Sequence, residues 1–205
     1  MKYLFNNLDR VAELFVEHFY LVALSLFIAV CIAIPLAMIV SRFKRVYTLV
    51  ISTLGVMYTI PSLALFALMI PFLGLGFKSA VTALVAYSQM TLVRNIVVAI
   101  RGIEPSVIDA AKGMGMGNWR IARKIVFPLA LPVVIAGIRI ATVSMIGIAT
   151  IAAYINAGGL GELIFEGIYQ DHAGKILAGT IAVSLLAIVS DMIFRMIEKR
   201  LNVAS

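Results

Sequence analysis

Residues 19–41 read FYLVALSLFIAVCIAIPLAMIVS, a run of 23 residues without a charged side chain. A helix rises about 1.5 Å per residue, so about 20 apolar residues cross the roughly 30 Å hydrocarbon core of a bilayer. The run is also longer than the apolar core of a cleavable signal, which has about 7 to 15 residues. We therefore predict that this run is a membrane-spanning helix that stays in the protein.

The rest of the chain has the same apolar character. Of its 205 residues, 62% are hydrophobic and 13% are charged, and the mean hydropathy is +1.06. The charged share is about half of what is usual in soluble proteins. The net charge of +7 lies in loops between apolar runs, which argues against a nucleic-acid partner. One cysteine, Cys31, permits neither an internal disulfide nor a CxxC metal site.

Five segments are long and apolar enough to span a bilayer, and they predict an all-α integral membrane protein with one domain, residues 1–205. They lie at about 18–40, 49–73, 79–101, 129–152 and 174–196. The second lies in a charge-free stretch with Pro61 in its middle, which predicts a broken or tilted helix. Two longer loops remain, at about 102–128 and 153–173.

The basic residues between the spans are distributed unequally. One side of the predicted membrane has eleven of them: Arg42, Lys44, Arg45, Arg101, Lys112, Arg120, Arg123, Lys124, Arg195, Lys199 and Arg200. The other has four, Lys2, Arg10, Lys78 and Lys175, together with six acidic residues. Because cytoplasmic loops carry the excess of Lys and Arg, we expect the N-terminus outside and the C-terminus in the cytoplasm.

The loop after the third span is predicted to form a helical elbow on the cytoplasmic face. Residues 104–132 read EPSVIDAAKGMGMGNWRIARKIVFPLALP. Pro105 favours the start of a helix and three glycines favour a turn. Asn118 is expected to be the N-cap of a second short helix, and Pro128 its end or a kink. The glycines do not indicate a nucleotide site, because such loops follow a strand.

This elbow resembles the EAA loop of the permease subunits of ABC importers. The family pattern is Glu-Ala-Ala, three residues, Gly, nine residues, and a hydrophobic residue shortly before a proline. It is matched by Asp109, Ala110, Ala111, Gly115, Ile125 and Pro128. Asp109 departs from the usual Glu by one methylene group and keeps the charge. The resemblance implies the five-helix fold of a type I ABC importer permease.

In that family the elbow is a coupling helix that docks into the ATPase subunit. The resemblance therefore implies a coupling role for Asp109, Ala110, Ala111, Lys112, Gly115 and Trp119. The residue types agree, because alanine and glycine permit close approach, a charged pair can fix the register, and a tryptophan can anchor. The alternative is that the small residues only let the loop pack on its own bundle.

Two further segments resemble the osmoprotectant branch of that family, which imports glycine betaine, carnitine or choline. They are residues 58–66, YTIPSLALF, and residues 156–165, NAGGLGELIF. The Gly-Gly-Leu-Gly element is less selective, since methionine-importing permeases carry something similar. The resemblance implies a multi-pass protein of the bacterial plasma membrane with a second permease subunit, identical or paralogous. It also implies an extracytoplasmic binding protein and ATP bound by partner ATPases, so the chain itself needs no cofactor.

Three places are candidates for the pathway or its gate. Pro61 frees a backbone carbonyl within the bilayer, which favours a pathway position for Tyr58, Pro61 and Ser62 or else a packing kink. Gly159 and Leu160 begin a turn and short helix that either gate the outside or cap the bundle. A central arginine costs about 2.5 to 3.5 kcal/mol to insert, so Arg139 is expected to face a wet cavity or a partner.

Other functions fit less well. A methionine importer would share the elbow and the glycine turn. An ion- or proton-coupled secondary carrier usually places ionisable groups near the membrane midplane, and no acidic residue lies there in these spans. A membrane scaffold would leave the elbow unexplained. We identify no catalytic or metal-ligating cluster and expect that the protein is not an enzyme.

Overall fold

The computed structural model describes residues 2–203, and those residues contain helices and connecting turns but no β-strand. Ten α-helices occur along the described chain: α1 (Lys2–Asn6), α2 (Leu8–Ser41), α3 (Lys44–Thr59), α4 (Ser62–Leu73), α5 (Phe77–Arg101), α6 (Pro105–Gly113), α7 (Asn118–Ile121), α8 (Phe127–Ala152), α9 (Gly161–Tyr169) and α10 (Ala173–Val203). A π-helical turn, Ala122–Val126, joins α7 to α8, and a 3-10 turn, Ala153–Ile155, follows α8.

Four continuous helices in the described part of the chain are long and apolar enough to cross a membrane. They are Leu8–Ser41, Phe77–Arg101, Asn118–Ile155 and Ala173–Leu201. The pair α3 and α4 passes the same test only when taken together, and its two helices meet at an angle of 97°. The all-α membrane fold is confirmed, and the break predicted at Pro61 is present between these two helices.

The predicted end of the short helix at Pro128 is wrong, whereas the alternative of a kink there stays a prediction. Helix runs without interruption from Asn118 to Ile155, through α7, the π turn and α8. Pro128 lies in the first turn of α8, directly after the π turn, where its missing N–H is tolerated because the bonding pattern is already shifted. Asn118 is the first helical residue instead of the N-cap, a position taken by Gly117 without a side-chain hydrogen bond.

Small residues let the first and third spans pack closely. Ser25, Ala29, Ala33 and Ala37 recur every fourth position of α2, and each is fully buried. The three alanines belong to the same core cluster as Ala80, Ala83 and Leu84 of α5. Small residues at four-residue spacing let helix backbones approach in lipid, where hydrophobicity alone does not drive association. Large apolar side chains such as Phe27 and Leu49 lie on the outside of the bundle.

The two ends of the bundle differ in charge. At one end, Arg101 donates to the carbonyl of Ser41 over 3.1 Å and lies 4.5 Å above the ring of Tyr47, next to the elbow. At the other end, Arg10 pairs with Glu162 over 2.9 Å. Burial raises the pKa of the Glu162 carboxyl, and the Arg10 charge opposes that rise. Because Arg10 and Ser41 lie at opposite ends of the 34-residue helix α2, the elbow and the outer turn are on opposite sides of the bundle.

Candidate functional site

The elbow turns back on itself through Gly115. Helix α6 ends at Gly113, the N–H of Gly115 donates to the carbonyl of Lys112 over 2.9 Å, and the N–H of Met116 donates to Ala111 over 3.1 Å. These two bonds form a Schellman motif, which needs a left-handed residue at the position of Gly115. Its φ is +76°, and a Cβ atom there would meet nothing within 4 Å. Glycine is therefore required by the turn and faces open space.

The elbow exposes two large apolar side chains. Trp119 is 77% exposed and Met114 is 74% exposed. Next to them, Lys112 and Asp109 form an exposed ion pair of 3.1 Å within α6. An exposed aromatic group beside an ordered charged pair is typical of an interaction surface. We call the exposed residues Asp109, Ala110, Lys112, Met114, Gly115 and Trp119 the elbow surface.

One of the predicted coupling residues, Ala111, does not lie on the elbow surface. Ala111 is fully buried, so its methyl group packs inside the chain. In α6 the residues on either side, Ala110 and Lys112, point outward. The structure therefore buries one alanine of the Ala-Ala pair within the chain and leaves the other exposed on the elbow surface.

The break between α3 and α4 is a polar feature within the bundle. Ile60 has an extended backbone, and Pro61 next to it cannot donate a hydrogen bond. The hydroxyl of Tyr87, on α5, donates to the carbonyl of Ile60. Tyr58 packs edge-on against the Tyr87 ring, with ring centroids 5.7 Å apart, and is 46% exposed. Pro61 is also exposed and Ser62 is half-buried, so the structure brings the three predicted residues together.

Side chains of α5 and α8 complete this cluster. A small space at the break is lined by the two tyrosines and by six further residues, Ser88, Thr91, Ala141, Ser144, Met145 and Ile148. The lining is aromatic and hydroxyl-rich and has no charged group. The space itself is only about 10 Å³, so a solute that carries an ammonium group would meet the exposed Tyr58 ring beside it, since aromatic faces attract cations. We call these eight residues the break cluster.

The outer turn is held by the first helix. The backbone N–H of Gly159 donates to the Glu17 carboxylate over 3.0 Å. Gly159 has φ +84°, and a Cβ atom there would come within 3.1 Å of the Cβ of His18. Leu160 is fully buried, in a cluster with Val11, Leu14, Leu163 and Ala182. In this structure Leu160 therefore packs in the core at the outer end, and Gly159 is the attachment point of the turn.

Arg139 has the charged partner that the sequence led us to expect. Its guanidinium lies 2.9 Å from Asp191 and 3.4 Å from Glu198, both on α10. Asp191 also pairs with Arg195 over 2.8 Å. The α8 residues of the break cluster, such as Ala141 and Ser144, lie on another face of that helix. The structure therefore separates Arg139 from the break cluster and assigns it to the contact between α8 and α10.

Titratable side chains offer no metal centre within residues 2–203, because no three His, Cys, Asp or Glu residues come together there. Hence the features of functional interest are the elbow surface, the break cluster and the outer turn.

A match to a known protein family agrees with the resemblance that the elbow carries. The profile of the family described as "Binding-protein-dependent transport system inner membrane component" matches residues 22–203. The chain belongs to this family. The permease is accordingly a multi-pass protein of the plasma membrane.

Relatives match the permease over nearly its whole length. It is 36% identical over 186 residues to the carnitine transport permease protein OpuCB of Listeria monocytogenes, covering 91% of this chain and 85% of that one. It is 39% identical over 201 residues to the osmoprotectant import permease protein OsmW of Salmonella typhimurium, covering 96% and 94%. Both relatives are transport permeases, not enzymes.

Solved structures give the same fold. A chain of the MetNI methionine ABC transporter, in an inward-facing conformation, superposes with a TM-score of 0.85 at 21% identity, covering 93% of the permease and 95% of that chain. An amino acid ABC transporter superposes with a TM-score of 0.72 at 17% identity, covering 96% and 98%. The expected fold of a type I ABC importer permease is confirmed.

Most residues of these features were not predicted from the sequence, including seven of the eight in the break cluster. Tyr87 and Glu17 act on backbone groups 27 and 142 positions away, at Ile60 and Gly159. Nothing in the local sequence marks such long-range contacts. Met114, in contrast, lies within the EAA pattern, between Ala111 and Gly115, and an apolar residue in this glycine-rich segment was a usable signal for the exposed surface of the permease.

Proposed function

We propose that the permease forms part of the membrane pathway of an ATP-driven importer for quaternary ammonium osmoprotectants, such as glycine betaine, carnitine or choline. The observation that carries this substrate class is the similarity, over more than nine-tenths of the chain, to permeases named for carnitine and osmoprotectant transport. The uncharged, aromatic break cluster supports it, because a permease needs only a weak site for a cation.

Coupling to ATP hydrolysis is assigned to the elbow surface. Partner ATPase subunits bind the nucleotide, and the permease itself binds none. Trp119 and Met114 supply the exposed apolar contact, and Asp109 with Lys112 fixes the register of the dock. Closure of the ATPases on ATP then moves the elbow and turns the pathway from inward to outward opening.

A second permease subunit, identical or paralogous, completes the pathway. The support is that α3 has no fully buried residue: one face, including Val50 and Leu54, packs on the core, and the other face is exposed. Exposed apolar residues continue along both halves of the bent pair, including Leu49, Val56 and Phe72. An extracytoplasmic binding protein delivers the solute at the end that carries the outer turn. In this arrangement the N-terminus lies outside and the C-terminus in the cytoplasm.

Uptake by the complete transporter tests the proposal. The permease, its ATPases and its binding protein are reconstituted in proteoliposomes that contain ATP or none. Labelled glycine betaine, carnitine, choline and methionine are compared. We expect ATP-dependent accumulation of at least one quaternary ammonium solute and none of methionine.

Two results would contradict the proposal in different ways. Accumulation of methionine alone would replace the substrate class and keep the ABC mechanism. Uptake that follows an imposed ion or proton gradient in the absence of ATP would instead identify a secondary carrier. The gradient experiment uses the same vesicles, so it also controls for leaky reconstitution.

A further inference from the structure

The break between α3 and α4 leaves the carbonyl of Ile60 without a helical partner. In a continuous helix the carbonyl of Ile60 would accept from the residue four positions later. At the break, Ile60 and Pro61 are both extended, and the first bond of the next helix runs from Leu65 to the carbonyl of Pro61. The Ile60 carbonyl therefore needs a donor from elsewhere, since an unpaired carbonyl in lipid is strongly disfavoured.

Tyr87 is the side chain that supplies this donor. It lies on α5, is 7% exposed, and directs its hydroxyl at the Ile60 carbonyl. The same ring forms the edge-to-face contact with Tyr58 at 5.7 Å. One buried side chain thus contacts both the bent backbone and the exposed ring beside it.

We propose that Tyr87 is a positioning residue for transport: its hydroxyl holds the bend at Pro61, and its ring sets the orientation in which Tyr58 faces the solute. Tyr87 itself is buried and has little surface for the solute, so it acts through Tyr58. The role in transport rests on the proposed function, whereas the positioning of Tyr58 rests on the geometry of the break alone.

Removing one oxygen atom separates the two contacts. Tyr87→Phe keeps the ring beside Tyr58 and deletes the hydroxyl, so the Ile60 carbonyl loses its donor. Tyr169→Phe is the matched control, because Tyr169 lies at the end of α9 and is strongly exposed. Both variants are studied in the complete transporter.

The first measurement tests the position of residue 58 without any substrate. Cys31 is replaced by alanine and Tyr58 by cysteine, and a small thiol reagent is added to the assembled transporter. With Tyr87→Phe we expect the labelling rate at position 58 to change by about tenfold, the factor equivalent to losing one hydrogen bond to a buried acceptor. Tyr169→Phe should leave the rate unchanged. Equal rates in all three backgrounds would overturn the positioning.

The second measurement is the uptake rate at saturating solute, where the affinity of the binding protein no longer determines the rate. Tyr87→Phe should lower the maximum uptake rate by about tenfold and leave the apparent KM unchanged. It should also narrow the ratio of maximum rates between glycine betaine and its dimethylamine analogue, because a misplaced ring attracts the trimethylammonium group less. A lower rate with an unchanged ratio would show a merely structural role and overturn the transport part.

Failure of the proposed function has a separate signature. If the unmodified transporter accumulates none of the quaternary ammonium solutes, the substrate class is wrong and the transport part of this proposal falls with it. The labelling rates then decide on their own whether Tyr87 positions the break.

Discussion

Gly115 allows the docking role of the elbow to be separated from its turn geometry. Its φ of +76° demands a residue that tolerates the left-handed region, and the space around its Cα is open in the permease alone. Two substitutions distinguish the requirement of the turn from the requirement of the docking surface. Gly115→Ala adds one carbon and resists the left-handed conformation, whereas Gly115→Asn adds more volume but tolerates that conformation better.

The two hypotheses, a requirement of the turn alone and close approach of the ATPase, predict opposite orders for the loss of ATPase binding in these two variants. An alanine in the left-handed region costs about 1 to 2 kcal/mol, which corresponds to about tenfold in an equilibrium constant, and asparagine costs less. If only the turn matters, Gly115→Ala weakens ATPase binding about tenfold and Gly115→Asn much less. If the ATPase surface approaches the Cα, Gly115→Asn is the more damaging variant because it is larger. We expect this second order.

The assay is the affinity of detergent-solubilised permease for its ATPase subunits, followed by ATP-dependent uptake in proteoliposomes. Gly113→Ala is the control, because Gly113 is also in open space but has no positive φ, so the same methyl group leaves the turn intact. Near-normal affinity for Gly115→Asn would refute close approach at this position. Normal affinity and uptake for both Gly115 variants would refute docking through the elbow surface.

Three further predictions concern the rest of the permease. Cysteines introduced at Lys175 and Lys112 should react with an impermeant reagent added outside only in the first case, and the reverse pattern would invert the orientation. Tyr58→Ala should lower the maximum uptake rate of a betaine-like solute at unchanged apparent affinity, and normal transport would make Tyr58 a packing residue. Asp191→Asn should lower the thermal stability of the permease in detergent, because Arg139 then keeps only its longer ion pair. Additive effects in a double-mutant cycle with Arg139→Gln would disprove the pair.

Local chemistry explains what the sequence could predict. The Pro61 break, the elbow and its glycine turn depend on residues within a few positions of one another, and helix-forming and turn-forming preferences act over that range. Pro128 shows how such a rule fails: a proline ends a regular helix, but the π turn before it already shifts the bonding pattern.

Partners across the bundle could not be predicted in the same way. The partner of the Ile60 carbonyl, the support of the outer turn and the burial of Ala111 depend on how helices pack, which the local sequence does not encode. For Arg139 the sequence predicted part of the outcome. The cost of an unpaired charge in lipid required some partner or a wet cavity, but only the packing of α8 on α10 selected Asp191 and Glu198.

A single helix connects the elbow to the outer turn. The continuous run Asn118–Ile155 has 38 residues, which corresponds to about 57 Å at 1.5 Å per residue. Near its far end the backbone of Gly161 packs so closely on Thr150 that no Cβ would fit there. Because hydrogen bonds along a helix resist stretching, a displacement of the elbow reaches the outer turn unless the helix yields. The irregular π turn Ala122–Val126, at the elbow end of this helix, is where such yielding would occur, before the motion reaches Arg139 and the break cluster.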